Sequence, residues 1–247
     1  MKIAYADCFS GINGTMFLAA LLDAGLPVDI LQQGFECLKL QDNVEIRRIE
    51  RQKGVLRALT LEIAVSDNAH FRRLTDILEL FEKSALPAPV KRDCGKVYQL
   101  LAEAEARVHG ETIEKVQFHE VGRLRAILLT VGSVWGLAML EIDRLYSSPL
   151  PYGGGMIESE HGQLPLPAPA TLEVLRIAKI PLVPSLASSE LVTPSGAALL
   201  GALALFESPR ILIESIGMGA GKEELPWPNI LRVMIGAEHR VTSPEFF

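Results

Sequence analysis

The run Ile3-Ala4-Tyr5-Ala6-Asp7-Cys8-Phe9-Ser10-Gly11-Ile12-Asn13-Gly14-Thr15-Met16-Phe17-Leu18-Ala19-Ala20-Leu21-Leu22-Asp23 decides the fold. Residues 3–5 read as a short strand, Gly11 and Gly14 supply a tight turn, and residues 16–23 form an apolar helix stopped by Gly25-Leu26-Pro27. A strand that feeds a glycine turn and then a helix offers free backbone N–H groups and a positive dipole end, which suits phosphate or carboxylate. Asp7, at the end of the strand, can hold a cation or a sugar hydroxyl, and Cys8 can ligate a soft metal. A plainer account also fits: Asn13 or Thr15 caps the helix, the glycines turn the chain, and Cys8 is buried.

Working outward, residues 29–38 read as a second helix. Apolar and charged residues then alternate over residues 44–65 around Lys53-Gly54, the pattern of a β-hairpin. Leu74, Ile77, Leu78 and Phe81 share one helical face, as do Val97, Leu100, Leu101, Ala104 and Val108. With their charges on the opposite side, both helices are expected to cover a sheet. Residues 124–140 are apolar nearly all round and belong at the centre of the molecule. The proline- and glycine-rich stretch 147–169 predicts an ordered loop or hairpin. Helices follow at 170–178 and 194–205, and strands at 211–216 and 230–235. The fold class is α+β: one domain over residues 1–247, with a mixed sheet covered by helices and a helical insertion around 70–117.

Composition narrows the function classes. With 49% hydrophobic residues the chain must bury a core, and a formal charge of −6 leaves no basic field for nucleic acid. No apolar stretch reaches the roughly 18 residues of a membrane helix, and no signal core follows Lys2. Three separated cysteines, Cys8, Cys37 and Cys94, fit a reducing cytoplasm better than a disulfide scaffold.

Three further stretches carry reactive side chains. Gln117-Phe118-His119-Glu120-Val121-Gly122 sets a histidine beside a glutamate. A bend can turn both toward one metal, but Arg123 stands where the zinc-protease pattern needs its second histidine, and a surface pair is the simpler account. From Ser148 to Pro169, prolines fix the backbone while Gly153 and Gly155 admit a ligand closely. His161, flanked by Glu158 and Glu160, is either a metal ligand or acid–base group, or a solvated histidine on a rigid hairpin. Gly217-Met218-Gly219-Ala220-Gly221-Lys222 fails the dinucleotide template at Lys222 and the P-loop template at Glu223, although Gly219 and Gly221 can still line a pocket. Ser10 to Thr15 and Thr193 to Gly196 also rhyme weakly before a helix, which duplication, chance and shared N-capping rules all explain.

In this order the stretches are specific. Asp7-Cys8-Phe9-Ser10-Gly11-Ile12 and Phe118-His119-Glu120-Val121-Gly122 resemble the first signatures of the LarC family. Ser148 to Gly155 with His161-Gly162, Leu164 to Thr171, Glu190 to Leu200, and Gly217 to Gly221 with Pro228-Asn229-Ile230-Leu231-Arg232 resemble the rest. The resemblance covers nearly the whole chain. It implies insertion of nickel into a pyridinium bis-thiocarboxylate mononucleotide during nickel-pincer cofactor synthesis, a CTP-dependent cyclometallation of the lyase class. The residue types suit that chemistry. His161 or His119 can take the ring proton as catalytic base, and His119, Glu120, His161 and Cys8 are candidate metal ligands. Asp7, Ser10, Gly11, Gly14, Thr15, Gly153, Gly155, Gly219 and Gly221 are candidates for binding the mononucleotide.

The departures from the family pattern matter equally. The family reads Ser-Gly-Asp-Met where this chain has Asn13-Gly14-Thr15-Met16, and carries further acids at the positions of Arg125 and Leu129. Around one site, these changes favour an anion over a divalent cation, each close charge pair being worth about 4 kcal/mol at an effective dielectric of ~20. Longer members continue into a C-terminal portion, to which CTP and divalent-cation handling are implied to belong, so a separate C-terminal partner is expected. The alternative is a divergent, non-catalytic relative that binds a nucleotide, a phosphate ligand or a partner protein. The apolar 124–140 helix is compatible with a homo-oligomer; neither nucleic acid nor a membrane is expected as a partner.

Overall fold

Alternation along β1 (Lys2–Asp7) and the residue after it puts Ala4, Ala6 and Cys8 on one face, where all three join the main core. The computed structural model describes residues 1–40, 44–65, 73–159 and 162–239. After β1 come α1 (Gly14–Asp23), α2 (Val28–Glu36), the hairpin β2 (Val44–Lys53) and β3 (Leu56–Val65), then α3 (Leu74–Lys83), α4 (Ala88–His109) and α5 (Leu124–Met139). The second half holds β4 (Arg144–Ser147), β5 (Leu150–Tyr152), β6 (Met156–Ser159), β7 (Gly162–Pro165), α6 (Pro169–Ile177) and β8 (Leu182–Pro184). It ends with α7 (Pro194–Leu203), β9 (Ala204–Leu205), β10 (Ile211–Ala220) and β11 (Ile230–Glu238).

Seven strands form one mixed sheet in the order β2-β3-β10-β11-β1-β4-β9. The β10–β11–β1 pairings are antiparallel, while β1, β4 and β9 run parallel. The α+β expectation holds. So does the hairpin, which turns at Gly54 with a positive φ of 60°.

α1 lies across β3, β10 and β11. A Cβ at Gly219 would sit 1.9 Å from the Met16 carbonyl oxygen, so this crossing requires glycine in the strand. Gly217 meets Ala20 in the same way. Asp23 anchors the other end of α1 by pairing with Arg57 at 2.7 Å and accepting the Met218 N–H at 2.9 Å.

α5 is central, as its composition predicts, and packs on α1, α2 and α4. Its Trp135 donates Nε1–H to the Ile30 carbonyl at 2.8 Å, and most of its apolar surface is buried within the chain, with Ala138 and Met139 exposed at its end. The expectation that the helices around 70–117 cover the sheet is corrected. α4 buries Val97, Tyr98, Leu101 and Ala104 against α5, α6 and α7, with α3 packed on α4. An apolar stripe requires burial but does not specify a sheet as the partner. Two bounds also shift: β10 continues to Ala220, and α7 stops at Leu203 so that Ala204 and Leu205 pair with β4. No described helix is long and apolar enough to cross a membrane.

Candidate functional site

The site is built where two helix starts are tied together. Ile12 and Val192 form an isolated parallel bridge: the Ile12 N–H donates to the Leu191 carbonyl at 2.8 Å, and the Thr193 N–H to the Ile12 carbonyl at 3.2 Å. The caps match the sequence pattern. Asn13 Oδ1 accepts the Met16 N–H at 2.9 Å, and Thr193 Oγ1 accepts the Gly196 N–H at 3.2 Å. The first-turn amides of Gly14, Thr15 and Ser195 have no acceptor within their own helices. All three residues line one cavity of about 980 Å³, so two positive dipole ends open on it.

Arg125 and Leu129, one turn apart on α5, line the same cavity. Thr15, Arg125 and Leu129 therefore do surround one site. Arg125 is half-buried and has no ion pair or hydrogen bond among the described residues. His119 and Glu120 also reach the cavity, aided by the tight turn at Glu120–Gly122. The His119 ring lies 6.2 Å from that of His109, whose Nε2 is 3.5 Å from Glu105, and Glu120 pairs with Arg123 at 2.7 Å. Among the described residues, no three His, Cys, Asp or Glu side chains are grouped to hold a metal ion.

Other candidate residues lie elsewhere. Asp7 is held by its cross-strand neighbour Arg232, which donates Nε–H at 2.9 Å and also Nη2–H. The same guanidinium stands 5.4 Å over the ring of Phe9. Cys8 faces the core, 3.7 Å from Ser147 Oγ, and burial pushes its thiol up from 9.0 to about 12. A metal needs the thiolate, so Cys8 is not placed as a ligand. Ser10 does reach the cavity; its Oγ accepts from Trp227 Nε1 at 3.1 Å and donates to Asn229 Oδ1 at 3.4 Å.

The glycines behave differently from ligand contacts. A Cβ at Gly11 would lie 1.9 Å from the Leu191 carbonyl oxygen, and one at Gly153 2.5 Å from that of Ala187. Gly155 approaches Ser188 similarly, and Gly221 meets the Asn229 side chain. Gly11, Gly153 and Gly155 let backbone approach backbone, clamping residues 187–191 from two sides. Of the mononucleotide-binding candidates, Ser10, Gly14 and Thr15 reach the cavity. His161 and Glu160 lie outside the described residues.

Sequence reasoning missed Glu190. Its carboxyl lines the cavity and has no cation or hydrogen-bond donor among the described residues. Burial, and then the negative charge of Glu223, pushes it up from 4.5 to about 7. Beside it, Ser189 Oγ is buried without a hydrogen-bond partner among the described residues. The Glu223 segment is held by buried Lys53, which donates to its carbonyl at 3.4 Å and pairs with Glu224 at 2.6 Å. Asn229 Nδ2 also donates to the Glu223 carbonyl, at 2.9 Å. Its sequence signals were an acid set before Leu191-Val192 and a capped helix, and its place at the head of the Glu190 to Leu200 stretch that carries the family resemblance.

A relative from Desulfitobacterium hafniense, named pyridinium-3,5-bisthiocarboxylic acid mononucleotide nickel insertion protein, is 40% identical over 238 residues, covering 96% of this chain and 58% of its own length. Two relatives carry the name "Putative nickel insertion protein". The one from Thermomicrobium roseum is 44% identical over 246 residues, covering 98% of this chain and 60% of its own length. The one from Roseiflexus castenholzii is 41% identical over 235 residues, covering 95% and 59%. The chain thus spans about three fifths of the length of these relatives. No solved structure matches it. Because the family model described as nickel insertion protein matches residues 4–246, the chain belongs to the nickel insertion protein family.

Proposed function

We propose that the chain takes part in inserting nickel into a pyridinium-3,5-bisthiocarboxylic acid mononucleotide, and that its cavity seats the mononucleotide. One observation carries this: two helix starts and Arg125, unpaired among the described residues, meet on a single cavity of about 980 Å³. Free amides, aligned dipoles and a guanidinium are the groups that bind a phosphate. The volume is at the upper end of the ~300–1,000 Å³ typical of small-molecule sites. His119 and Glu120 offer an imidazole and a carboxylate to nickel, the substrate metal, while the thiocarboxylates bring sulfur. CTP and its divalent cation are assigned to the portion of the longer relatives that this chain does not span, acting as a separate C-terminal partner in the cytoplasm. Self-association is not needed to complete the cavity.

The test mixes the chain and the C-terminal portion of a longer relative with nickel(II), CTP and the mononucleotide and follows nickel-bearing product by mass spectrometry. Arg125→Gln is expected to weaken mononucleotide binding tenfold or more, since a hydrogen bond to a charged group is worth about 1.5–3 kcal/mol. The dephosphorylated nucleoside should bind wild type and variant alike. Equal mononucleotide affinity for both would place the phosphate elsewhere. A second reading, a non-catalytic phosphate-binding relative, is favoured by Thr15, Arg125 and Leu129 standing together where the family pattern has acids. It is recognised by mononucleotide binding with no nickel retained in equilibrium dialysis.

A further inference from the structure

Resting on the function proposed above, we infer that Glu190 is the catalytic base of nickel insertion: its carboxylate takes the proton that nickel displaces from the pyridinium ring. The ring carbon–hydrogen bond breaks and its electron pair becomes the carbon–nickel bond. The proton forms an O–H bond on Glu190. Nickel stays divalent, so no oxidant or reductant is consumed.

Four features of its place single out this residue. Glu190 shares one cavity with Arg125 and the two helix starts that seat the phosphate. Its oxygens are uncommitted among the described residues, whereas Glu120 and Glu105 on the same cavity are paired. Glu158 and Glu223, also on the cavity wall, are exposed, while Glu190 is largely withdrawn from water. Finally, its backbone is fixed on both sides. Gly11 closes on Leu191 from one side, and Gly153 and Gly155 close on residues 187–189 from the other. The Leu191 and Ala187 carbonyls accept the Ile12 and Gly154 N–H groups at 2.8 and 2.9 Å. A base on a fixed backbone keeps its direction toward a bound ring. Burial beside Glu223 also holds the carboxyl near the neutral poise that general-base transfer favours.

The experiment compares wild type, Glu190→Gln and Glu190→Ala, each with the C-terminal portion of a longer relative, nickel(II), the mononucleotide and CTP with magnesium. Glu190→Gln is expected to bind the mononucleotide as tightly as wild type while its insertion rate falls about 100-fold or more. Added formate should raise the rate of Glu190→Ala, by supplying a carboxylate in the vacated space, and leave wild type unchanged. Insertion by Glu190→Gln at the wild-type rate would overturn the assignment. So would a Glu190→Ala defect that formate does not relieve, a readout that also decides the matter if Glu190→Gln fails to fold. A wild-type chain that inserts no nickel overturns the functional proposal and this one together; a defect confined to the variants separates the two.

Discussion

Replacing Glu190 by glutamine should stabilise the protein, and by an amount that depends on pH. In the native chain the carboxyl titrates near 7, against 4.5 ordinarily, because burial and then Glu223 disfavour its charge. A carboxyl raised on folding contributes most below its unfolded value, and that contribution is lost as pH rises toward the native one. At about 1.4 kcal/mol per pH unit, the difference between 4.5 and about 7 corresponds to roughly 3 kcal/mol above pH 7. Water on the cavity side reduces this to about 2–3 kcal/mol. Glutamine has the same shape and no charge to bury. Urea unfolding should therefore find Glu190→Gln about 2–3 kcal/mol more stable than wild type at pH 8, but within about 1 kcal/mol at pH 5. Glu223→Gln should recover a smaller part, since burial is the larger cause. An equal difference at both pH values would refute the argument, because only titration links the effect to pH.

Two further outcomes follow from packing. Gly219→Ala should cost about 3 kcal/mol in urea unfolding, because its methyl group would meet the Met16 backbone rather than a side chain that can turn aside. An unchanged midpoint would show that α1 can lift from β10 freely. Cys8, buried with its thiol pushed up to about 12, should resist iodoacetamide at pH 8 until the chain is unfolded, as peptide mapping would show. Cys8→Ala should retain nickel binding; loss of nickel would restore the cysteine as a ligand.

Local pattern made much of the framework legible. The alternation over 44–65 around Lys53-Gly54 could hardly be anything but a hairpin, and the Asn13 cap was readable because capping is set by neighbours three residues away. α4 shows where local pattern stops: its apolar stripe told which face is buried, while the partner, a set of helices rather than the sheet, depends on the whole topology. The glycines failed for a related reason. Gly11, Gly153 and Gly219 look the same in sequence whether a ligand or a distant carbonyl comes close, and here it is the carbonyl. Glu190 was invisible because its unusual state comes from burial, which residues far along the chain impose. Whether Thr15, Arg125 and Leu129 share one site was left open by the sequence, and their common cavity answers it.

The bridge between Ile12 and Val192 has a consequence for folding. It joins residues 180 positions apart, and the cavity has no paired helix starts until that contact closes. Contacts of such long separation pay their loop-closure entropy before they gain anything in return, so they form slowly. A ligand that needs both helix starts cannot help an early, locally ordered intermediate; it can only trap the chain after its two ends have met. Ligand binding during refolding should then lag behind the recovery of helix signal, which makes the cavity a natural reporter of this long-range contact.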